Sequence, residues 1–203
     1  MGSEMLKMLV VSASIFSMFD RAVLKHFSME RFWAHSQAAS KLAGAIASAE
    51  KAETSVVETA RMGGLLHDIG RVLMASSFPA QFGEAQRLAK EGAGTLCEVE
   101  KRVIGASHAE FGAYLLNLWG LPELLVEAVA WHHLPQMCPH NSFHILTGVH
   151  VADALLQEVE EYESTAAGAA LDLEYIGRLN LLHRLPDWRK LRDDTWREQK
   201  HGE

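Results

Sequence analysis

The residues best suited to chemistry in this chain are histidines and aspartates set among apolar neighbours. In GGLLHDIGRVLM (63–74), His67 and Asp68 stand side by side between Leu65-Leu66 and Ile69. His35 lies on the stripe formed by Ala38, Leu42 and Ile46, one turn earlier, and Asp153 shares a face with Leu146, Val149 and Leu156. His108, His132 and His133 complete the set. Taken singly, each histidine has a plain explanation: a hydrogen-bonded core imidazole at 35, a surface residue opening a helix at 108, and cations at a helix C-terminus at 132 and 133. The aspartates change the balance, because a carboxylate on an apolar stripe costs several kcal/mol of desolvation unless something positive compensates it. A divalent cation would compensate both.

Imidazole with carboxylate suits iron, zinc, manganese or nickel better than calcium or magnesium. His35, His67, Asp68 and Asp153 would make a mononuclear site with positions left for water. His108, His132 and His133 could hold a second ion sharing Asp68, or line a substrate pocket. Such a cation lowers the pKa of bound water and polarises a phosphoryl oxygen, the requirement for hydrolysing a phosphate ester. Asp68 is then the catalytic candidate, and Arg71, one turn on, the phosphate-binding one. The alternative is a relict cavity filled by hydrogen-bonded histidines.

Positioning these residues requires helices. Apolar residues recur at helical spacing and alternating β-branched runs are absent, so the chain reads as all-α. Helices are expected over about 4–19, 29–50, 54–68 (with Gly70 as the stop), 79–90, from 95, from 108 to near WGLP, over PELLVEAVAWHH, and over 142–162. Ser107 and Glu110 in SHAE form a capping-box pattern that places His108 in a first turn, and Pro122 is expected at the first position of its helix. ESTAAGAALD (163–172) reads as a small-residue linker before a last helical segment. Trp33, Trp119 and Trp131 read as core and pocket wall, and His140, His144 and His150 as a solvated flank, with the alternative that His150, one turn from Asp153, supports it from behind.

With 203 residues, the chain is long enough for a sizeable core. Its formal net charge of −7, without a basic block, gives counterion release little to work with, so nucleic acid is not an expected partner. Cys97 and Cys138 belong to no CxxC or secreted-scaffold pattern and read as free thiols in the cytoplasm. MLVVSASIFSMF (8–19) could pass for the apolar part of a secretory signal, but Ser12, Ser14 and Ser17 break it and it is too short to span a bilayer. A buried first helix is the expectation, with no membrane partner.

His35, then HD at 67–68, then Asp153, in helical surroundings, resembles the H…HD…D signature of the HD superfamily of metal-dependent phosphohydrolases. More narrowly, FWAHSQAASKLAGAIA, GGLLHDIGRVLM, SHAEFGAYLLNLWGLPELLVEAVAWHH and VHVADALL resemble the HDOD family over nearly the whole chain. The resemblance implies an HD-superfamily helical bundle with a metal site between helices, a cytoplasmic location, and a role in bacterial signal transduction. Residues 1–162 would form the HDOD-type domain, lacking its usual N-terminal helices, and 163–203 a linker and helical tail packing on it. YIGRLNLLHRLPDWRKL is similar to the tail of response regulators that join a receiver domain to HDOD, so a receiver domain or other signalling protein is the expected partner, in a two-component system. The chain would then be a fragment of a longer protein or an unusually short member, and a homodimer could cover apolar surface left by missing helices.

Three departures limit what carries over. HD-GYP phosphodiesterases, which cleave cyclic di-GMP, follow their double histidine with a Gly-Tyr-Pro loop, whereas HHLPQMCPHN follows here. Arg31 stands where some of those enzymes have a glutamate for an additional metal. Many HDOD members have lost metal ligands and are regarded as non-catalytic, whereas this sequence keeps the full set. Two readings therefore remain: a signalling-output module with an intact site for one or two metal ions, and an active phosphohydrolase acting on a nucleotide or phosphodiester.

Overall fold

The computed structural model describes residues 27–159 and 170–201; the expected helix over 4–19 lies outside them. Helix α1 (Met29–Ala49) starts where the Ser28 hydroxyl accepts the Arg31 backbone N–H. Its inward stripe, Ala38, Ala39, Leu42, Ala43, Ile46 and Ala47, is buried. Helix α2 (Thr54–Leu66) lies against it at backbone contact: a Cβ added at Gly64 would sit 2.4 Å from the Ala39 carbonyl oxygen. Helix α8 (Ile145–Gln157) closes this layer with Val149, Val151, Leu155 and Leu156. On the other side, α3 (Ile69–Ser77) packs on α6 (His108–Leu118), and α7 (Glu123–Trp131) bridges α6 to α8. Helices α4 (Pro79–Lys90) and α5 (Leu96–Val103) pair beside them. No strand occurs among the described residues, and the protein is an all-α helical bundle.

Beyond residue 170, α9 (Leu173–Arg178) and α10 (Leu185–His201) return to the α1/α8 layer. Trp188 is wholly buried there, its indole N–H donating to Glu50 Oε1 at 2.9 Å.

Several boundaries differ from expectation. The helix expected over 54–68 ends at Leu66, and α3 begins at Ile69, so Gly70 is not a stop but lies inside a helix. It is there for space: a Cβ at Gly70 would sit 1.9 Å from the His108 carbonyl oxygen. Pro122 is the cap of α7 rather than its first residue. The helix expected from 142 starts at Ile145, because the His144 ring accepts the Leu146 N–H and caps it. Trp33 and Trp119 are 38% and 37% exposed, hence surface residues rather than core.

Candidate metal centre

The centre grows from the break between α2 and α3. His67 keeps helical dihedrals, Asp68 departs from them (φ −100°, ψ 9°), and the chain restarts at Ile69. The glycine contact at Gly70 clamps this turn onto the first turn of α6, which carries His108. The Ser107/Glu110 capping box forms and fixes that turn. His35 comes from mid-α1, His132 and His133 from the end of α7, and Asp153 from the inner face of α8.

All seven side chains meet. His35 Nε2 lies 3.3 Å from His67 Nε2 and 3.2 Å from Asp153 Oδ1, and His67 Nε2 lies 3.6 Å from the same oxygen. Asp68 stands between two groups: Oδ2 is 3.7 Å from His67 Nε2, while Oδ1 is 3.2 Å from His108 Nε2 and 3.9 Å from His132 Nε2. His133 Nε2 is 2.9 Å from His108 Nε2. One ligand atom each from Asp68, His108, His132 and His133 lies within 4.8 Å of the others, as it does for His35, His67 and Asp153. Arg71 Nη1 donates to Asp68 Oδ2 at 2.9 Å, so the guanidinium neutralises part of the carboxylate's charge.

Ring orientations are set from behind. His67 Nδ1–H donates to the Gly64 carbonyl and His132 Nδ1–H to the Val129 carbonyl, both at 2.8 Å, which leaves each Nε2 lone pair facing inward. Burial raises the Asp68 carboxyl, but the charges of His67 and Arg71 outweigh it and hold it well below the usual carboxylate range. Burial raises the Asp153 carboxyl too, but His35 at 3.2 Å and the neighbouring His67 and His133 rings outweigh it and hold it well below the usual carboxylate range. Burial, then the neighbouring His133 and His67 charges, hold His132 well below the ordinary imidazole value, in the neutral form a metal requires. Buried His132 Nε2 and Asp153 Oδ2 have no hydrogen-bond partner. Against their burial, Glu100 first holds His108 well above the ordinary imidazole value and Cys97 holds His133 above it, so a cation entering among these nitrogens and carboxylate oxygens would displace protons from them.

The HDOD domain model matches residues 1–135. The chain belongs to the HDOD family. Other comparisons agree in fold. This HDOD chain superimposes on a proposed signal-transduction protein from Marinobacter aquaeolei VT8 with a TM-score of 0.66 and 20% identity, over 87% of this chain and 38% of that one. It superimposes on a proposed phosphohydrolase from Shewanella amazonensis SB2B with a TM-score of 0.65 and 20% identity, over 96% of this chain and 74% of the other. An uncharacterised protein of Treponema pallidum (strain Nichols) is 30% identical over 70 residues, which span 34% of this chain and 14% of that protein. The chain thus spans well under two thirds of two of these relatives, and at such identities the solved structures establish the fold alone.

Two residues beside the HDOD centre are not among the expected site residues, although Cys97 reads as a free thiol. Glu100 in α5 is wholly buried, and its Oε2 accepts from both the backbone N–H and the ring of His108. Cys97 Sγ lies 4.0 Å from His108 Nδ1. Neither stands at a spacing that marks it, although a glutamate beside Val99 on the inward face of α5 was a hint. The expected solvated flank also divides. His140 donates to Glu127, with His144 against its ring, in a half-buried cluster apart from the centre. His150 is wholly buried, donating through Nδ1 to the His132 carbonyl and accepting the Asp172 N–H, so it is a structural pin rather than a solvated residue.

Proposed function

We propose that this chain is a bacterial signal-transduction output module of HDOD type whose HD site holds two divalent transition-metal ions. The observation that carries the reading is the position of Asp68, with one oxygen toward His67 and the other toward His108 and His132. A bridging carboxylate between two imidazole groups matches what a pair of cations requires. His35, His67, Asp153 and Asp68 would hold one ion; His108, His132, His133 and Asp68 would hold the other. Iron, zinc, manganese or nickel suits this mixed nitrogen and oxygen set. Membership of the HDOD family and the likeness to a proposed signal-transduction protein support the signalling role. A receiver domain or another signalling protein would be the partner, and the cytoplasm the location; none of the described helices is long and apolar enough to cross a membrane.

The second reading is a phosphohydrolase acting on a nucleotide or phosphodiester. The likeness to a proposed phosphohydrolase favours it, as does Arg71 beside Asp68, where a bound phosphate would meet it. Bound ions would supply an acidified water and a polarised phosphoryl oxygen; Asp68 would orient both ions, and Arg71 would neutralise phosphate charge.

Elemental analysis by plasma mass spectrometry, on tag-free protein purified without added metal, tests the site. Two equivalents of a transition metal are expected, and a protein that never exceeds one would overturn the two-ion reading. Protein that is metal-free and takes up none when supplied would sink both readings of an intact site. A nucleotide and phosphodiester screen then separates the two: turnover lost in Asp68→Ala supports the enzyme, and absence of turnover in metal-loaded protein supports the output module.

A further inference from the structure

A wholly buried carboxylate needs a reason, and Glu100 has an unusual one. It belongs to α5, which supplies no ligand candidate to the seven-residue centre, yet its side chain is 0% exposed and reaches into α6. Oε2 accepts the His108 backbone N–H at 2.8 Å and faces His108 Nδ1 at 2.6 Å. The capping box of Ser107 and Glu110 satisfies the N–H groups of those two residues, and Glu100 takes the His108 N–H that the box leaves over, so one contact caps α6 and the other holds the ring.

What the second contact does is choose a proton. With Nδ1–H donated to a carboxylate, a ring that binds a cation is held in the tautomer whose Nε2 lone pair serves the metal, and that atom lies 3.2 Å from Asp68 Oδ1 and 2.9 Å from His133 Nε2. A ring free to turn, or protonated at Nε2, would present a hydrogen to the same place. Glu100 Oε1 has no hydrogen-bond partner, so its burial is compensated through His108 alone among the described residues. Carboxylate to histidine to metal is an arrangement that raises ligand basicity and fixes the ring, and loss of such an outer partner weakens metal affinity by about 10 to 100-fold.

We infer that Glu100 is the positioning residue of the second cation site, holding His108 with its Nε2 lone pair aimed between Asp68 and His133, and that it has no part in the first site. The inference rests on the two-cation reading above. It assigns the two sites separate supports: His67 is pinned by a neutral backbone carbonyl at Gly64, whereas His108 is pinned by a charge. The second ion is therefore the one whose affinity a neutral substitution selectively lowers.

The test is zinc titration of the metal-stripped full chain, wild type against Glu100→Gln, in competition with a chromophoric chelator. Glutamine keeps the volume and an oxygen acceptor for the backbone N–H but removes the charge. The expected result is two equivalents bound by the wild type, with the first affinity unchanged in the variant and the second weaker by about 10 to 100-fold. Nitrogen-15 spectra at two equivalents of zinc should show the wild-type His108 ring wholly in the Nδ1–H form with Nε2 on the metal, and the variant ring as a mixture with the metal-free form, a change that a merely structural role would not produce. Circular dichroism confirms that the variant folds, and Glu100→Asp provides a second variant if it does not. Two equivalents bound equally tightly by wild type and variants would overturn the role of Glu100 while leaving the two-cation reading intact. A wild type that binds no zinc would overturn both.

Discussion

Gly70 shows how a residue without a side chain can be as tightly constrained as a ligand. Any Cβ there meets the His108 carbonyl at 1.9 Å and the Gly112 nitrogen at 2.8 Å, and both are backbone atoms that a rotamer change cannot move. Gly70→Ala must therefore push α3 from α6. The expected cost is about 3 kcal/mol, the upper end for overpacking, or roughly 6 to 12 °C in melting temperature for a chain of this length. Thermal unfolding followed by circular dichroism checks it; an unchanged midpoint would mean that the two helices are not in backbone contact. His144 supports a different prediction. Burial, then the charge of His140, pulls its imidazole down to about 4 from 6.5, and its Nδ1 can cap Leu146 only while unprotonated. The unfolded chain takes up this proton first as pH falls, so the contribution is full above 6.5 and is lost progressively from 6.5 toward 4. His144→Asn keeps a capping oxygen and removes the titration. Between pH 7 and pH 5 the wild type should lose more melting temperature than the variant, and equal losses would exclude the mechanism.

At the scale of elements, α10 is held by one large anchor. Trp188 is wholly buried among Leu42, Ile46 and Leu155, with its N–H on Glu50. Trp188→Ala should cost about 3 to 5 kcal/mol, and urea unfolding should stay a single transition with a lower midpoint and the same slope, as expected of a tail that folds with the bundle. Two separate transitions would show instead that the tail unfolds independently. Much of this level was legible beforehand, because amphipathic spacing and caps are local: α1, the capping box at Ser107 and the position of Asp153 on an apolar stripe all follow from near neighbours in sequence. What could not be read was long-range. Gly70 looked like a helix stop because its partner, the His108 carbonyl, is 38 residues away in sequence. The buried role of His150 was hidden for the same reason, its partners His132 and Asp172 lying 18 and 22 residues away, whereas Glu100 is turned back onto His108 across the short connection from α5 to α6. The ligand candidates themselves were readable because a carboxylate on an apolar stripe is conspicuous wherever its partner lies.

For the whole molecule, the candidate centre draws its residues from both layers of the bundle. His35 belongs to α1, His67 and Asp68 to the α2–α3 break, His108 to α6, His132 and His133 to the end of α7, and Asp153 to α8. Ions bound among them would tie both layers of the bundle together, and the unfolded chain, with those residues scattered over more than a hundred positions, would bind them poorly. Folding and binding are then linked: at free metal about 100 times its Kd, each site adds about 2.7 kcal/mol, so two sites add about 5 kcal/mol, or roughly 10 to 20 °C. Excess EDTA should remove that increment, and restoring zinc or manganese should return it. Calcium should not return it, since nitrogen donors favour the later metals. Wild-type protein containing metal yet melting at the same temperature after EDTA would mean that the ions sit outside the bundle's interior. A drop restored equally by calcium would mean that carboxylates alone hold them, and that the converging imidazole nitrogens of His35, His67, His108, His132 and His133 form a hydrogen-bonded cluster rather than a coordination sphere.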